Sequence, residues 1–329
     1  MQTMIDTIDS KSIGERNLST VGKQGFRLND RSNGTPLRVM SEADWRFWTD
    51  NGYIVIKQAV EREKIDRLER LMWEFEEMDP ADMSTWYTPA KTARKKAELS
   101  FNAGMIELYN HQYLWDARQT RRVYDAFVDV WRTERLWVSI DRMNFNLPPE
   151  PGFEFKSFMH WDYDPDTDPQ NVQGVLSICD QTDPEVGGFV CIPEIFRNYD
   201  AWRREQSEWD WYRPNVAGLP LVPVSMEKGD LLIFNSKLCH GIRQNKSKNK
   251  VRMAQYISMM PAQESNDELR SWRIESWRNR TAPKGYSLHG DPRHWERDRY
   301  ETAVLTPLGE KLLGLGSWED EYASAMSFF

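Results

Sequence analysis

Between Trp137 and Pro261 the chain keeps no single periodicity for long. Short runs of branched and aromatic residues alternate there with clusters of Pro, Gly and Asp. Eight of these runs read as strands: 137–147, 153–160, 172–180, 187–193, 221–225, 230–235, 239–243 and 251–260. Closely spaced strands with turn signals between them predict a closed or two-sheet β-structure rather than a parallel α/β sheet. Helical text lies on both sides. Ser41-Glu42-Ala43-Asp44 reads as a helix start, with Asn51-Gly52 as its stop and a strand at 53–56. Val60, Ile65, Leu68, Leu71, Met72, Phe75 and Met78 fall on one stripe, which predicts an amphipathic helix over 60–78, and a further helix is expected over 116–132. The expected organisation is a flexible arm over 1–38 followed by a single domain over 39–329. Its β-core spans about 137–261 and its helical C-terminal extension 262–329. The fold class is mainly β, with flanking helices packed on one sheet.

Composition narrows the function. Lys and Arg number 43 against 51 Asp and Glu, a formal charge of −8, so the chain lacks the cationic excess that nucleic-acid binding requires. Three cysteines without a CxxC pair exclude a disulfide scaffold or a cysteine zinc site and fit a reducing compartment. No window approaches the roughly 18–20 apolar residues of a membrane span, and Met1 to Leu28 contains no apolar signal core. The expectation is a cytoplasmic protein acting on a small molecule, with no nucleic-acid or membrane partner; the oligomeric state is not readable.

Only five histidines are present, and two stand at the mouths of expected strands. His160 opens His160-Trp161-Asp162. Residues i and i+2 of an extended chain point the same way, so the His160 imidazole and the Asp162 carboxylate can converge on one cation. His240 follows Gly229-Asp230, a strand and a short loop, with Gly241 relieving crowding behind it. Two imidazoles and one carboxylate form the facial triad of non-haem Fe(II) oxygenases, which leaves three positions open. Early in the 251–260 strand, Arg252 shares a face with Ala254, Tyr256 and Ser258, a cation flanked by hydroxyls. A guanidinium so placed requires an anion and prefers a carboxylate, so a dicarboxylate cosubstrate chelating the metal at one end would satisfy both features.

These motifs resemble the phytanoyl-CoA dioxygenase family of Fe(II)/2-oxoglutarate oxygenases. The resemblance covers most of 41–261: Trp48-Thr49-Asp50-Asn51-Gly52-Tyr53-Ile54-Val55-Ile56 followed by a helix, the HxD at His160 and Asp162, and Gly229 to Gly241 with its His240. It implies a double-stranded β-helix, the jelly-roll or cupin-like core. It also implies Fe(II) on His160, Asp162 and His240, 2-oxoglutarate salt-bridged to Arg252, and O2 as second cosubstrate. The His-to-Arg gap is about one residue longer than the family pattern, with Lys-Ser-Lys-Asn-Lys at the turn. Asn144 either donates to the cosubstrate carboxylate or belongs to a polar surface face. Ser177 either hydrogen-bonds 2-oxoglutarate or is internally satisfied. Arg142 and Trp161 are the candidate substrate-binding residues, although alternation turns Trp161 away from the metal.

The implied reaction hydroxylates, desaturates or demethylates a small metabolite and releases succinate and CO2. With Asp162 present as a ligand, halogenation is disfavoured. The cations available for an acyl-CoA are Arg94–Lys96 and Lys246–Lys250. Asp162, Asp164, Asp166 and Asp168 mimic a calcium loop, but Pro165 and Pro169 interrupt it and no loop glycine is present. Two other readings stay open on the residues alone: a cupin-like metal-dependent isomerase or hydrolase without 2-oxoglutarate, and a non-catalytic binding protein on the same fold.

Overall fold

The structure, a computed structural model, describes residues 26–88, 104–149, 158–284 and 290–319. Helix α1 (Glu42–Asn51) begins with a reciprocal capping box: the Ser41 side chain accepts from the Asp44 N–H, and the Asp44 carboxylate accepts from the Ser41 N–H. It stops at Gly52, whose φ of 75° favours glycine, and the chain passes into strand β1 (Tyr53–Ile56). The apolar stripe forms helix α2 (Arg62–Phe75), burying Ile65, Leu68, Leu71, Met72 and Phe75. The helix expected over 116–132 is two, α3 (Gln112–Arg118) and α4 (Arg121–Trp131). Thr120 separates them: its hydroxyl donates back to the Asp116 carbonyl, while its extended backbone starts the second helix.

The remaining strands are β2 (Met105–Ile106), β3 (Leu136–Val138), β4 (Met143–Asn146), β5 (Val172–Ser177), β6 (Gly188–Cys191), β7 (Val222–Pro223), β8 (Leu231–Asn235), β9 (His240–Arg243), β10 (Arg252–Tyr256) and β11 (Met259–Pro261). The runs 137–147 and 251–260 each break into two strands. Of the run 153–160, residues 153–157 lie outside the described residues. A six-stranded sheet has the order β1-β8-β5-β10-β4-β2, a three-stranded sheet β7-β6-β9, and β11 pairs with β3. All these pairings are antiparallel. The architecture is mixed helix and sheet rather than mainly β, because helices cover the large sheet and continue beyond it.

Alternation divides the large sheet into two faces. Ile54, Ile56, Met143, Phe145, Leu176, Leu231, Ile233 and Met253 pack with Leu68, Met72, Phe75, Leu114 and Phe127 of the helices. The opposite face presents Val55, Val175, Leu232, Phe234, Ala254 and Tyr256, which meet Phe189 and Cys191 of the small sheet in a second apolar cluster. The space between the sheets therefore opens on Arg252, Ala254 and Tyr256 of β10.

Both flanks are tied to this body. Asp129 accepts the backbone N–H groups of Arg38, Val39 and Met40, and Leu28 N–H donates to Gln170, so residues 28–40 are anchored rather than loose. Residues 1–25 of the expected arm lie outside the described residues. Between β6 and β7 lie helices α5 (Pro193–Arg197) and α6 (Tyr199–Arg204), and in the C-terminal extension helices α7 (Asp267–Asn279), α8 (Trp295–Arg299) and α9 (Pro307–Leu313) follow. The buried Arg273 on α7 donates to the carbonyls of Val138, Leu312 and Leu313, joining this extension to β3. No helix among the described residues is long and apolar enough to cross a membrane.

Candidate active site

His240 opens β9, and its backbone exchanges both hydrogen bonds with His160, N to O at 2.9 and 3.0 Å. This antiparallel bridge brings the two imidazoles to a centroid separation of 4.7 Å. Gly241 permits the approach: a Cβ there would sit 2.7 Å from the Phe158 carbonyl oxygen and 3.1 Å from the Met159 sulfur. His240 Nδ1 lies 3.0 Å from the Leu238 carbonyl, which fixes the proton on Nδ1 and leaves the Nε2 lone pair available. That Nε2 is 3.3 Å from Asp162 Oδ2, and His160 Nε2 is 3.8 Å from Asp162 Oδ1. One ligand atom from each of His160, Asp162 and His240 lies within 4.8 Å of the others, a group that could hold a metal ion. Phe189 stacks on the His240 ring at 5.5 Å and Phe234 packs at 4.6 Å, so this imidazole cannot swing.

The Asp162 carboxylate has a partner the sequence did not announce. Gln173 on β5 donates from Nε2 to Oδ2 at 2.7 Å. This bond orients the carboxylate and occupies one oxygen.

Arg252 is buried on the inner face of β10, and its hydrogen bonds go to neutral side-chain amides. Its Nε donates to Gln181 Oε1 at 2.9 Å; its Nη1 donates to Asn144 Oδ1 at 2.7 Å and Asn146 Oδ1 at 3.2 Å. Among the described residues its buried Nη2 has no hydrogen-bond partner and no carboxylate pairs with the cation. An uncompensated buried guanidinium is costly, so this geometry suits an incoming anion. The longer turn before β10 does not disturb the register. Asn245 and Ser247 close it on the Lys250 carbonyl, and Arg252 arrives opposite Asn146.

Asn144 reaches this pocket as an acceptor that aims Arg252. Ser177 reaches it one step removed: its hydroxyl donates to the Cys179 carbonyl and accepts from Gln181 Nε2, so it steadies the amide that holds Arg252. The two candidate substrate-binding residues are both engaged within the protein. Arg142 Nη1 is bound to Glu107 at 2.9 Å in a buried ion pair. Trp161 is fully buried against Tyr199, Trp202 and Trp209 and donates to the Lys237 carbonyl, so it supports the ligand segment from behind and offers no substrate surface. The acids after Asp162 are engaged locally: Asp164 caps a short helical turn, Asp166 takes Tyr199 and Arg203, and Asp168 pairs with Lys237.

Sequence reasoning missed Gln173 and Gln181. The only local signal for Gln173 is that it shares the inward face of β5 with Val175 and Ser177. Gln181 lies past the strand end and gives no signal at all.

Comparison with known proteins agrees with this geometry. The model of the phytanoyl-CoA dioxygenase family matches residues 48–254, which span β1, the His-Asp-His group and Arg252. The chain belongs to the phytanoyl-CoA dioxygenase family. It is 25% identical over 248 residues to the Aspergillus versicolor protein named Ava biosynthesis cluster protein O, covering 66% of this chain and 77% of that one. Its fold is similar to that of the hypothetical protein JW0805 from Escherichia coli, with a TM-score of 0.57, 14% identity and coverage of 86% and 87%. It is likewise similar to GlcNAc Inducible Gene 2 of Candida albicans, with a TM-score of 0.55, 12% identity and coverage of 83% and 76%. As a member of this family the chain takes Fe(II), with 2-oxoglutarate and O2 as cosubstrates. The convergent donors and the unpaired Arg252 Nη2 fit the metal and the dicarboxylate respectively.

Proposed function

We propose that this chain is a 2-oxoglutarate-dependent oxygenase that hydroxylates a small metabolite, or desaturates or demethylates it after the same hydrogen abstraction. The convergence of His160, Asp162 and His240 within 4.8 Å carries the reading. The two facing sheets, with the second apolar cluster between them, are read as the two walls of a double-stranded β-helix. When bound, Fe(II) with 2-oxoglutarate and O2 supplies an oxidant able to break a C–H bond while the cosubstrate becomes succinate and CO2.

The protein's own residues have separable tasks in this reading. His160, Asp162 and His240 would hold the metal as two imidazoles and one carboxylate, a donor set suited to Fe(II). Gln173 restrains Asp162 to one orientation. Arg252 takes the distal carboxylate of 2-oxoglutarate through Nη2, while Gln181, Asn144 and Asn146 fix the fork. Phe189, Phe234 and Val175 keep water from the space beside His240. A carboxylate at position 162 leaves no vacancy for a halide, which favours oxygen transfer or desaturation.

A small free metabolite is favoured over an acyl-CoA. Lys250 is paired with Asp183, and Arg94–Lys96 lie outside the described residues. The name of the Aspergillus relative is consistent with a tailoring step in a biosynthesis. The isomerase or hydrolase alternative leaves Arg252 without an anion and is disfavoured for that reason. Anaerobic addition of Fe(II) and then 2-oxoglutarate tests the proposal: a weak visible charge-transfer band is expected, followed by succinate release on admitting O2. Metal binding without any response to 2-oxoglutarate would favour the alternative.

A further inference from the structure

Tyr256 and Asp141 have no role in holding the metal or 2-oxoglutarate as described above. Tyr256 is the last residue of β10 and shares the inward face with Arg252 and Ala254. Its backbone N–H donates to the Arg142 carbonyl at 3.1 Å, which sets it beside the turn carrying Asp141. Its phenol has no hydrogen-bond partner among the described residues. The Asp141 carboxylate accepts at Oδ1 from the Arg142 N–H at 2.8 Å, and its other oxygen has no donor among the described residues. The Asp141 side chain keeps 25% exposure and Tyr256 is half-buried, so both polar groups stay open to an incoming molecule.

The Tyr256 phenol feels Arg252 and Asp162 as well as Asp141 and Arg142. Along the strand, Tyr256 lies opposite Val175, next to the apolar residues that back His240. Among the described residues the cations at this end are Arg142, held between Glu107 at 2.9 Å and Asp141 at 3.9 Å, and the fully buried Arg118, whose guanidinium donates to the Tyr109 and Asp141 carbonyls. Glu107 is engaged further by the Tyr109 hydroxyl and the Gly290 N–H. No positive charge is spare here for a carboxylate or phosphate, whereas an open carboxylate oxygen and a phenol are available.

We infer that Asp141 and Tyr256 form the substrate-anchoring end of the active site, and that they take a head group that donates hydrogen bonds, a hydroxyl or a protonated amine. This rests on the oxygenase reading above. Its test uses the full chain with Fe(II) and 2-oxoglutarate, reading succinate release against matched series of small alcohols, amines, carboxylates and phosphates. Alcohols or amines are expected to raise succinate release above the substrate-free rate. In Tyr256→Phe and Asp141→Asn the KM for the stimulating compound should rise by about tenfold or more, the loss of one hydrogen bond to a charged group. The KM for 2-oxoglutarate should change by less than twofold. Thermal midpoints and the anaerobic chelate band of both variants report on folding and on the metal centre. Stimulation confined to carboxylates or phosphates, or absent from every series, would overturn the assignment. So would a rise in the 2-oxoglutarate KM in place of the substrate's. A wild-type chain giving neither chelate band nor succinate would instead sink the oxygenase reading itself.

Discussion

His160 and His240 are paired residue to residue across an antiparallel bridge, each backbone N–H donating to the other's carbonyl. The separation of the two imidazoles is therefore a property of sheet pairing and not of loop conformation. A metal centre built this way is as rigid as the strand that carries it, and its weak point is whatever sets the distance between the paired backbones.

Gly241 is that point. A methyl group there meets the Phe158 carbonyl at 2.7 Å, a backbone atom that cannot swing aside. Gly241→Ala should push the 158–160 segment off β9, lower stability by about 1–3 kcal/mol and weaken metal binding at least roughly tenfold. Titration with Co(II), followed by its visible absorption, measures this. Unchanged affinity would show that the bridge does not position the ligands.

Asp162→Ala should abolish turnover, and full 2-oxoglutarate decarboxylation in that variant would show the ligand assignment to be wrong. Gln173→Leu makes the finer test. It removes the donor that fixes Asp162 and keeps the side chain's bulk, so metal affinity should fall about 10–100-fold, with little change in thermal midpoint. Equal metal affinity in Gln173→Leu and wild type would reduce Gln173 to a spectator.

Arg252→Ala should raise the KM for 2-oxoglutarate by roughly 30-fold or more, since truncating one partner of a buried charge pair costs about 2 kcal/mol or more. The iron requirement should barely move. Gln181→Leu, which frees only the Nε side of the fork, should give a smaller effect of the same kind. Equal effects of Arg252→Ala on iron and 2-oxoglutarate would remove it from the cosubstrate pocket.

A pair of buried titrating groups joins the C-terminal extension to the core. Glu296 on α8 accepts backbone N–H groups from Tyr109 and Asn110, and burial pushes its carboxyl from 4.5 up to about 7. His111, next in the chain, caps α3 by accepting the Tyr113 N–H, and burial lowers its imidazole from 6.5 to about 4. Folded Glu296 keeps a proton the unfolded chain has lost, so its contribution to stability falls as pH rises from 4.5 to about 7. Folded His111 refuses a proton the unfolded chain accepts, so its contribution rises as pH climbs from about 4 to 6.5. Each swing is worth about 3 kcal/mol, and in the wild type they largely cancel over their shared range. Glu296→Gln should therefore gain stability with rising pH between 4 and 6.5, and His111→Asn should lose it between 4.5 and 7. Urea unfolding across this range measures both, and parallel slopes in the two variants would contradict the arrangement.

The local elements were legible in the chain because their causes are local. The Ser41 box, the α2 stripe and the alternation along β10 each depend on residues a few positions apart. The one misjudged helix, 116–132, failed at Thr120, where a hydroxyl returning to its own helix ended one segment and began the next. The engagement of Arg142 and Trp161 was not legible for a different reason. A cation and an indole look available in sequence, and only packing reveals that Glu107 or a ring of aromatics has already claimed them.

The sequence by itself determined the ligand types, the strand that carries Arg252 and the family to which they belong, since spacing along an extended chain dictates which side chains share a face. The tertiary structure alone decided which neutral amides would hold Asp162 and Arg252, and that the Tyr256 N–H would meet the Arg142 carbonyl. Those relationships join strands far apart in the chain, and no periodicity within one segment encodes a partner in another.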